Sequence, residues 1–178
     1  MNSFERLSPF ATISRHNKVL GVSPQIIAEK ISDARTNPRQ REILALHRSE
    51  SEPIQRMINA LEPGSYVCPH RHHDPPKAEC IVLLTGSLGF VTFLDDGTPD
   101  IENCVLLHRT KGMLAVDVRE DLWHTFFALE HGTTVFEVKA GPFDAHRDKQ
   151  AAPWAPAENS PGAAMYLASL EEIFRTRL

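Results

Sequence analysis

Cysteine is scarce in this chain. Cys68, Cys80 and Cys104 are the only three, an odd number without paired spacing. That argues against a disulfide framework and for a reducing cytoplasm. No apolar run approaches the length that spans a bilayer, so no membrane partner is expected. The opening MNSFERLSPF has no basic stretch followed by an apolar one and does not read as a secretory signal. Basic blocks are missing too. The formal net charge is -4 with both signs interspersed, which excludes nucleic acid as an expected partner. There is no Gly-rich phosphate loop, no Ser-centred nucleophile elbow and no CxxC pair. Tyrosine is limited to Tyr66 and Tyr166, which narrows the supply of phenolic acids.

Histidine, by contrast, is plentiful. Of nine in the 178 residues, three stand together as His70, His72 and His73. Hydrophobic content of 42% and charged content of 24% are those of an ordinary globular protein. The length suits one domain with an appendage.

The N-terminal extension, 1–39, begins with a weakly patterned lead-in over 1–22, irregular or paired. Ser23 and Pro24 then fit an N-cap and first helical position. With Ile26, Ile27 and Ile31 along one face, they predict a short helix over 24–35 that Asn37-Pro38 ends. From 40 to 143 the texture is mainly β. Candidate strands at 54–61, 66–72, 79–84, 88–94, 101–108, 113–118, 123–129 and 133–139 alternate with turn signals such as Asp95-Asp96-Gly97. Many short strands at roughly ten-residue spacing favour a sandwich or barrel over a βαβ fold. The segment 144–178 reads as a proline-bearing extended tail and then a helix at about 163–176. Leu167, Leu170, Ile173 and Phe174 lie on its apolar face, and Arg175 and Arg177 favour its C-terminal end. It is expected to cover the barrel or a partner subunit.

Side chains two apart on a strand share a face. His70 and His72 therefore point together, with Arg71 and His73 turned outward. If the following strand pairs antiparallel with theirs, Glu79 returns to the same pocket, and His124 supplies a fourth ligand from the strand around Trp123. Three imidazoles and a carboxylate suit one divalent ion such as Zn, Fe, Ni, Mn or Co. Taken alone, the His70–His72 pair is equally a polar pair in water, Glu79 a solvated strand end, and His124 a satisfied core residue. Parity places either Arg56 or the pair Gln55 and Asn59 in the barrel interior. Cys68 and Tyr66 share the parity of His70. Lys77 reads as an exposed loop lysine able to meet an anion at the mouth. His16, His47, His108, His131 and His146 show no partner pattern.

Gly64, His70, His72, Glu79 and Gly86 resemble the first motif of the cupin family, G-x5-H-x-H-x3,4-E-x6-G, except that six residues separate His72 from Glu79. The second motif is degraded. Gly112 and His124 stand where it requires, but its Pro and inner Gly are missing and Ala128 replaces its Asn. More narrowly, His70-Arg71-His72-x-Asp74-Pro75-Pro76-Lys77-x-Glu79 is similar to WbuC-type cupin-fold metalloproteins. So are Leu61 to Tyr66 before it, Val135 to Lys139 and Gly141-Pro142 after it, and Ala152 to Pro156. This likeness spans about 40 to 157. It implies a jelly-roll cupin barrel with a short N-terminal and a C-terminal helix, a metal on His70, His72, Glu79 and His124, and a homodimer. Such proteins occur in bacteria, some in O-antigen gene clusters.

Two functional classes follow. One is a metal-dependent enzyme, an isomerase, epimerase or oxygenase acting on a sugar, sugar nucleotide or small polar metabolite. The other is a cupin that binds or senses a small molecule without transforming it. A metal-free, epimerase-like site would need a histidine paired with a carboxylate and a tyrosine acid, for which Tyr66 is the candidate.

Overall fold

Local signals start the first helix where the sequence places them. In this computed structural model, which describes residues 4–175, the Ser23 hydroxyl accepts from the Ile26 amide at 3.4 Å and Pro24 occupies the first turn of α1, Pro24–Thr36. Asn37 leaves the helix in an extended conformation ahead of Pro38.

Twelve strands surround it: β1 (Phe4–Ser8), β2 (Ala11–Ser14), β3 (Arg41–Ala45), β4 (Ile54–Leu61), β5 (His70–Arg71), β6 (Glu79–Thr85), β7 (Ser87–Phe93), β8 (Val105–His108), β9 (Ala115–Val118), β10 (Trp123–Ala128), β11 (Thr133–Ala140) and β12 (Gln150–Ala151). They form two sheets, ordered β1-β2-β3-β4-β11-β6-β9 and β12-β5-β10-β7-β8. Successive strands from β4 onward cross between the sheets, the double-sheet jelly roll that a cupin adopts. The helix α2, Ala163–Arg175, follows. The predicted Arg177 and the last expected helical residue, 176, lie outside the described residues, as do residues 1–3. No helix among the described residues is long and apolar enough to cross a membrane.

Period-2 alternation sorts the strands into three apolar clusters. Leu61, Ile81, Leu83, Leu88, Phe90, Phe126 and Val135 fill the space between the sheets. Val91, Phe93 and Phe127 face the other way and are covered by Leu167, Leu170 and Phe174 of α2. Each of these three helix side chains contributes about 1.5–3 kcal/mol by burial. On the opposite flank, Ile26 of α1 packs on Leu44 and Ile58. Gly89 permits the α2 contact, because a Cβ there would sit 2.7 Å from the Phe127 ring and 2.8 Å from that of Phe174.

Several expectations are corrected. The lead-in is ordered: β1 and β2 extend the larger sheet, with β2 parallel to β3. Neither they nor β3 show the alternating run that marks a strand, since β1 is polar and exposed. The expected strand 66–72 shrinks to His70–Arg71, because Pro69 lacks the amide a longer ladder would need. The strand expected from 101 begins at Val105, after a 3-10 turn at Ile101–Asn103.

Candidate metal centre

The histidine-bearing strands pair directly. His70 on β5 stands opposite His124 on β10, and His72 follows just beyond β5. All three imidazoles are buried, and one ligand nitrogen from each lies within 4.8 Å of the others. Glu79 reaches them from elsewhere. The expected pairing of its strand with that of His70 does not occur, since β6 lies between β11 and β9 in the facing sheet. The six-residue loop carries the chain across the interior, so Glu79 meets the histidines from the other side. Its Oε1 is 2.8 Å from His124 Nε2 and its Oε2 is 3.5 Å from His72 Nε2.

The outward nitrogens fix the tautomers. His70 Nδ1 lies 2.9 Å from the Cys68 carbonyl, His124 Nδ1 lies 2.8 Å from the Leu122 carbonyl, and His72 Nδ1 meets the Asp148 carbonyl. A carbonyl oxygen only accepts, so each Nδ1 carries the hydrogen and each neutral ring turns the lone pair of Nε2 inward. His72 Nε2, His124 Nε2 and Glu79 Oε1 are buried and form no hydrogen bond. Acceptors gathered in this way repel one another unless a cation lies among them. A divalent metal is the cation that this donor set fits. Phe90 stacks on His124 at 5.6 Å and holds the ring plane.

Burial presses charge out of His70. Together with the charges of Lys149 and His124, it takes this imidazole well below its ordinary pKa. Burial opposes ionisation of Glu79 as well, but the adjoining His124 and His72 outweigh it and hold the carboxyl well below the usual range.

A second charged group adjoins the first. Asp148 is buried and takes Lys77 Nζ at 2.8 Å on one oxygen and Lys139 Nζ on the other. Lys77 also donates to the Pro142 carbonyl at 2.6 Å. Lys77 is therefore not the exposed loop lysine that the sequence suggests: the cross-sheet loop folds inward and Asp148 neutralises it. Glu137 is buried beside Asn59, whose Nδ2 donates to it at 2.6 Å. Burial first, then the charge of Glu79, raises the Glu137 pKa.

Parity resolves on β4 in favour of Gln55 and Asn59, both buried, while Arg56 turns outward to Glu52 at 2.8 Å. Tyr66 is corrected: its hydroxyl donates to the Pro156 carbonyl at 2.8 Å and its ring joins the cluster under α2, away from the histidines. Cys68 packs against the same cluster rather than into the interior. Both lie before β5 begins, so strand parity does not extend to them. His73 is exposed and pairs with Asp121 at 2.8 Å. Arg71 lies over Trp123 at 4.4 Å and donates to Gln150. Asp148, Lys149, Glu137 and Lys139 escaped the sequence reading. Parity along 133–139 was available for the two strand residues, but no local pattern marks Asp148.

Beside the centre lies a cavity of about 550 Å³, lined by Gln55, Asn59, Glu137 and Lys149 on its polar side and by Met57, Val67 and Phe126 on its apolar one.

Residues 22–106 match the model of a family described as a domain of unknown function, DUF6016. The match includes His70, His72 and Glu79 but stops short of His124. No curated protein matches the chain. Among solved structures, the capsular polysaccharide assembling protein CapF of Staphylococcus aureus superposes with a TM-score of 0.50 at 17% identity, over 61% of this chain and 28% of that one. The present chain thus spans little more than a quarter of CapF. Protein SO0799 of Shewanella oneidensis gives a TM-score of 0.50 at 12% identity, over 74% of this chain and 84% of that one. A cupin-2 domain of Rhodospirillum rubrum gives 0.47 at 14% identity, over 73% and 79%. At these identities the likeness is one of fold.

Proposed function

We propose that this protein is a metal-dependent cupin in which His70, His72, His124 and Glu79 hold one divalent transition-metal ion beside a small-molecule cavity. The observation that carries this reading is the locked tautomer set. Three Nδ1 hydrogens are committed to main-chain carbonyls, which leaves buried Nε2 lone pairs and an unbonded carboxylate oxygen facing one another. A bound ion there supplies a Lewis acid for a carbonyl or hydroxyl or, as iron, a centre for oxygen chemistry. The chain's own part is to orient the ligands through the Cys68, Leu122 and Asp148 carbonyls and to keep a protonatable carboxyl, Glu137, at the cavity wall.

An isomerase, epimerase or oxygenase acting on a small metabolite fits this arrangement. The WbuC-type likeness of the His70–Glu79 run, together with the name of CapF, supports a place in polysaccharide metabolism. The second reading is binding without turnover. It is favoured by the eroded stretch around His124, where Ala128 and no polar residue follows on the strand. The metal-free epimerase reading loses its acid, since Tyr66 is engaged outside the interior.

The test is elemental analysis of untagged protein purified without chelator, alongside His70→Ala and His124→Ala variants shown to be folded by circular dichroism. Near-stoichiometric metal in the wild type, lost in both variants, is expected. Wild-type protein that neither carries nor takes up divalent ions would overturn the proposal.

A further inference from the structure

The charges around the cavity do not all cancel. Arg39 and Arg41 are bound by Glu158 at 2.9 and 2.7 Å. Lys139 is bound by Asp148, and Glu137 is held by Asn59. Lys149 also lines the cavity, and its Nζ has no hydrogen bond or ion pair among the described residues. Its charge is felt at both His70 and Glu79, so it stands over the metal centre rather than out in the medium. An ammonium walled by protein and lacking a partner is costly unless water or an anion meets it.

The rest of the lining argues about shape. Ile43, Met57, Leu61, Val67 and Phe126 form an apolar wall. The polar donors nearby are already engaged: Gln55 Nε2 donates to the carbonyls of Glu50 and Glu52, and Asn59 Nδ2 donates to Glu137. A free sugar, hydroxylated on every edge, would find few groups left to satisfy it. A molecule with one charged end and an apolar body would leave no donor unmet.

We propose that the cavity takes an amphipathic organic acid, its anionic head between the metal centre and Lys149 and its apolar body along Met57, Val67 and Phe126. The proposal rests on the metal-centre reading and narrows its substrate class away from free sugars. Lys149 is the specificity-determining residue for the head, and Phe126, next in line from His124 on the inner face of β10, for the body.

The experiment is calorimetric titration of metal-loaded protein with 2-hydroxyoctanoate, gluconate and 1,2-octanediol. The first has both features, the second lacks the apolar body and the third lacks the charge. The tightest binding is expected for 2-hydroxyoctanoate. In Lys149→Met it weakens at least about tenfold, as for a lost charge-assisted contact. Lys149→Arg restores most of it, and metal content stays unchanged in both variants. Gluconate binding as tightly as 2-hydroxyoctanoate would overturn the proposal, as would equal binding by Lys149→Met or no heat with any of the three. Metal content is measured on the same samples. Protein that takes up no ion sinks the metal reading alone, while the ratio between wild type and Lys149→Met still decides the substrate class.

Discussion

His72 takes its orientation from Asp148, 76 residues further along the chain: the ring Nδ1 donates to the Asp148 main-chain carbonyl, while the Asp148 carboxylate holds Lys77 and Lys139. One residue thus fixes a metal-ligand candidate through its backbone and neutralises two buried ammonium groups through its side chain. Asp148→Ala leaves both lysines buried without a counter-charge, a loss of about 3–5 kcal/mol for a broken buried pair. Urea unfolding of chelator-treated protein is expected to show a destabilisation of that order. A loss under about 1 kcal/mol, the range of surface pairs, would mean that the lysines find other partners.

Ligand binding to the native state stabilises it by RT ln(1 + [L]/Kd), about 2.7 kcal/mol at a hundredfold excess over Kd. Added Zn, Ni or Co is therefore expected to raise the melting temperature of the chelator-treated wild type. In Glu79→Gln the amide removes the anionic ligand atom, and the increment shrinks by at least half at the same metal concentration. An increment that survives intact in Glu79→Gln would confine the site to the three histidines.

Acid should act on the site with a definite sign. His70 has its folded pKa lowered by burial, while in the unfolded chain it titrates near the ordinary value of about 6.5. Above about pH 6.5 the imidazole is neutral in both states and its contribution to stability is intact. Below that, the unfolded state binds the proton and the folded state resists it, so stability falls with pH. Protons and metal compete for the same Nε2 atoms. Metal retained on dialysis at pH 7.5 and released between about pH 6.5 and 5, alongside a falling urea midpoint of the metal-free protein, is the expected pair of results. Metal retention that does not vary over this range would count against imidazole ligation.

How far the residues alone disclose this centre depends on the range of the interactions. The helix α1 was legible from Ser23, Pro24 and three isoleucines, and α2 from Leu167, Leu170 and Phe174, because caps and periodicity are local. Strands β4, β6, β7, β10 and β11 were legible for the same reason. The approach of His70 to His124 was legible only through the motif, and the crossing of Glu79 to the facing sheet was not, since an antiparallel hairpin and a cross-sheet loop look alike in sequence. Lys77 was misjudged and Asp148 missed for one reason. Their burial exists only because the segment after Pro142 folds back over the mouth of the jelly roll. Tyr66 and Cys68 were misplaced because strand parity was carried past Pro69 into irregular backbone.

The turn glycine of the motif offers a test of the scaffold apart from the metal. Gly86 sits at φ +75°, and a Cβ added there would lie 2.3 Å from Thr133 Oγ1 and 2.7 Å from Thr133 Cα. The Thr133 hydroxyl is itself committed, donating to the Ser87 carbonyl at 3.0 Å and the Glu130 carbonyl at 2.7 Å. The backbone of β11 therefore cannot yield without breaking the link between β6 and β7. Gly86→Ala adds left-handed strain of about 1–2 kcal/mol to an overlap of about 1–3 kcal/mol. A loss of at least about 2 kcal/mol in the unfolding free energy is expected. Glu79 lies at the far end of β6 from this turn, so the folded fraction should retain metal. A fully stable Gly86→Ala protein would show that the turn relaxes without cost, while a stable protein that loses metal would place the turn in the ligand machinery rather than in the scaffold.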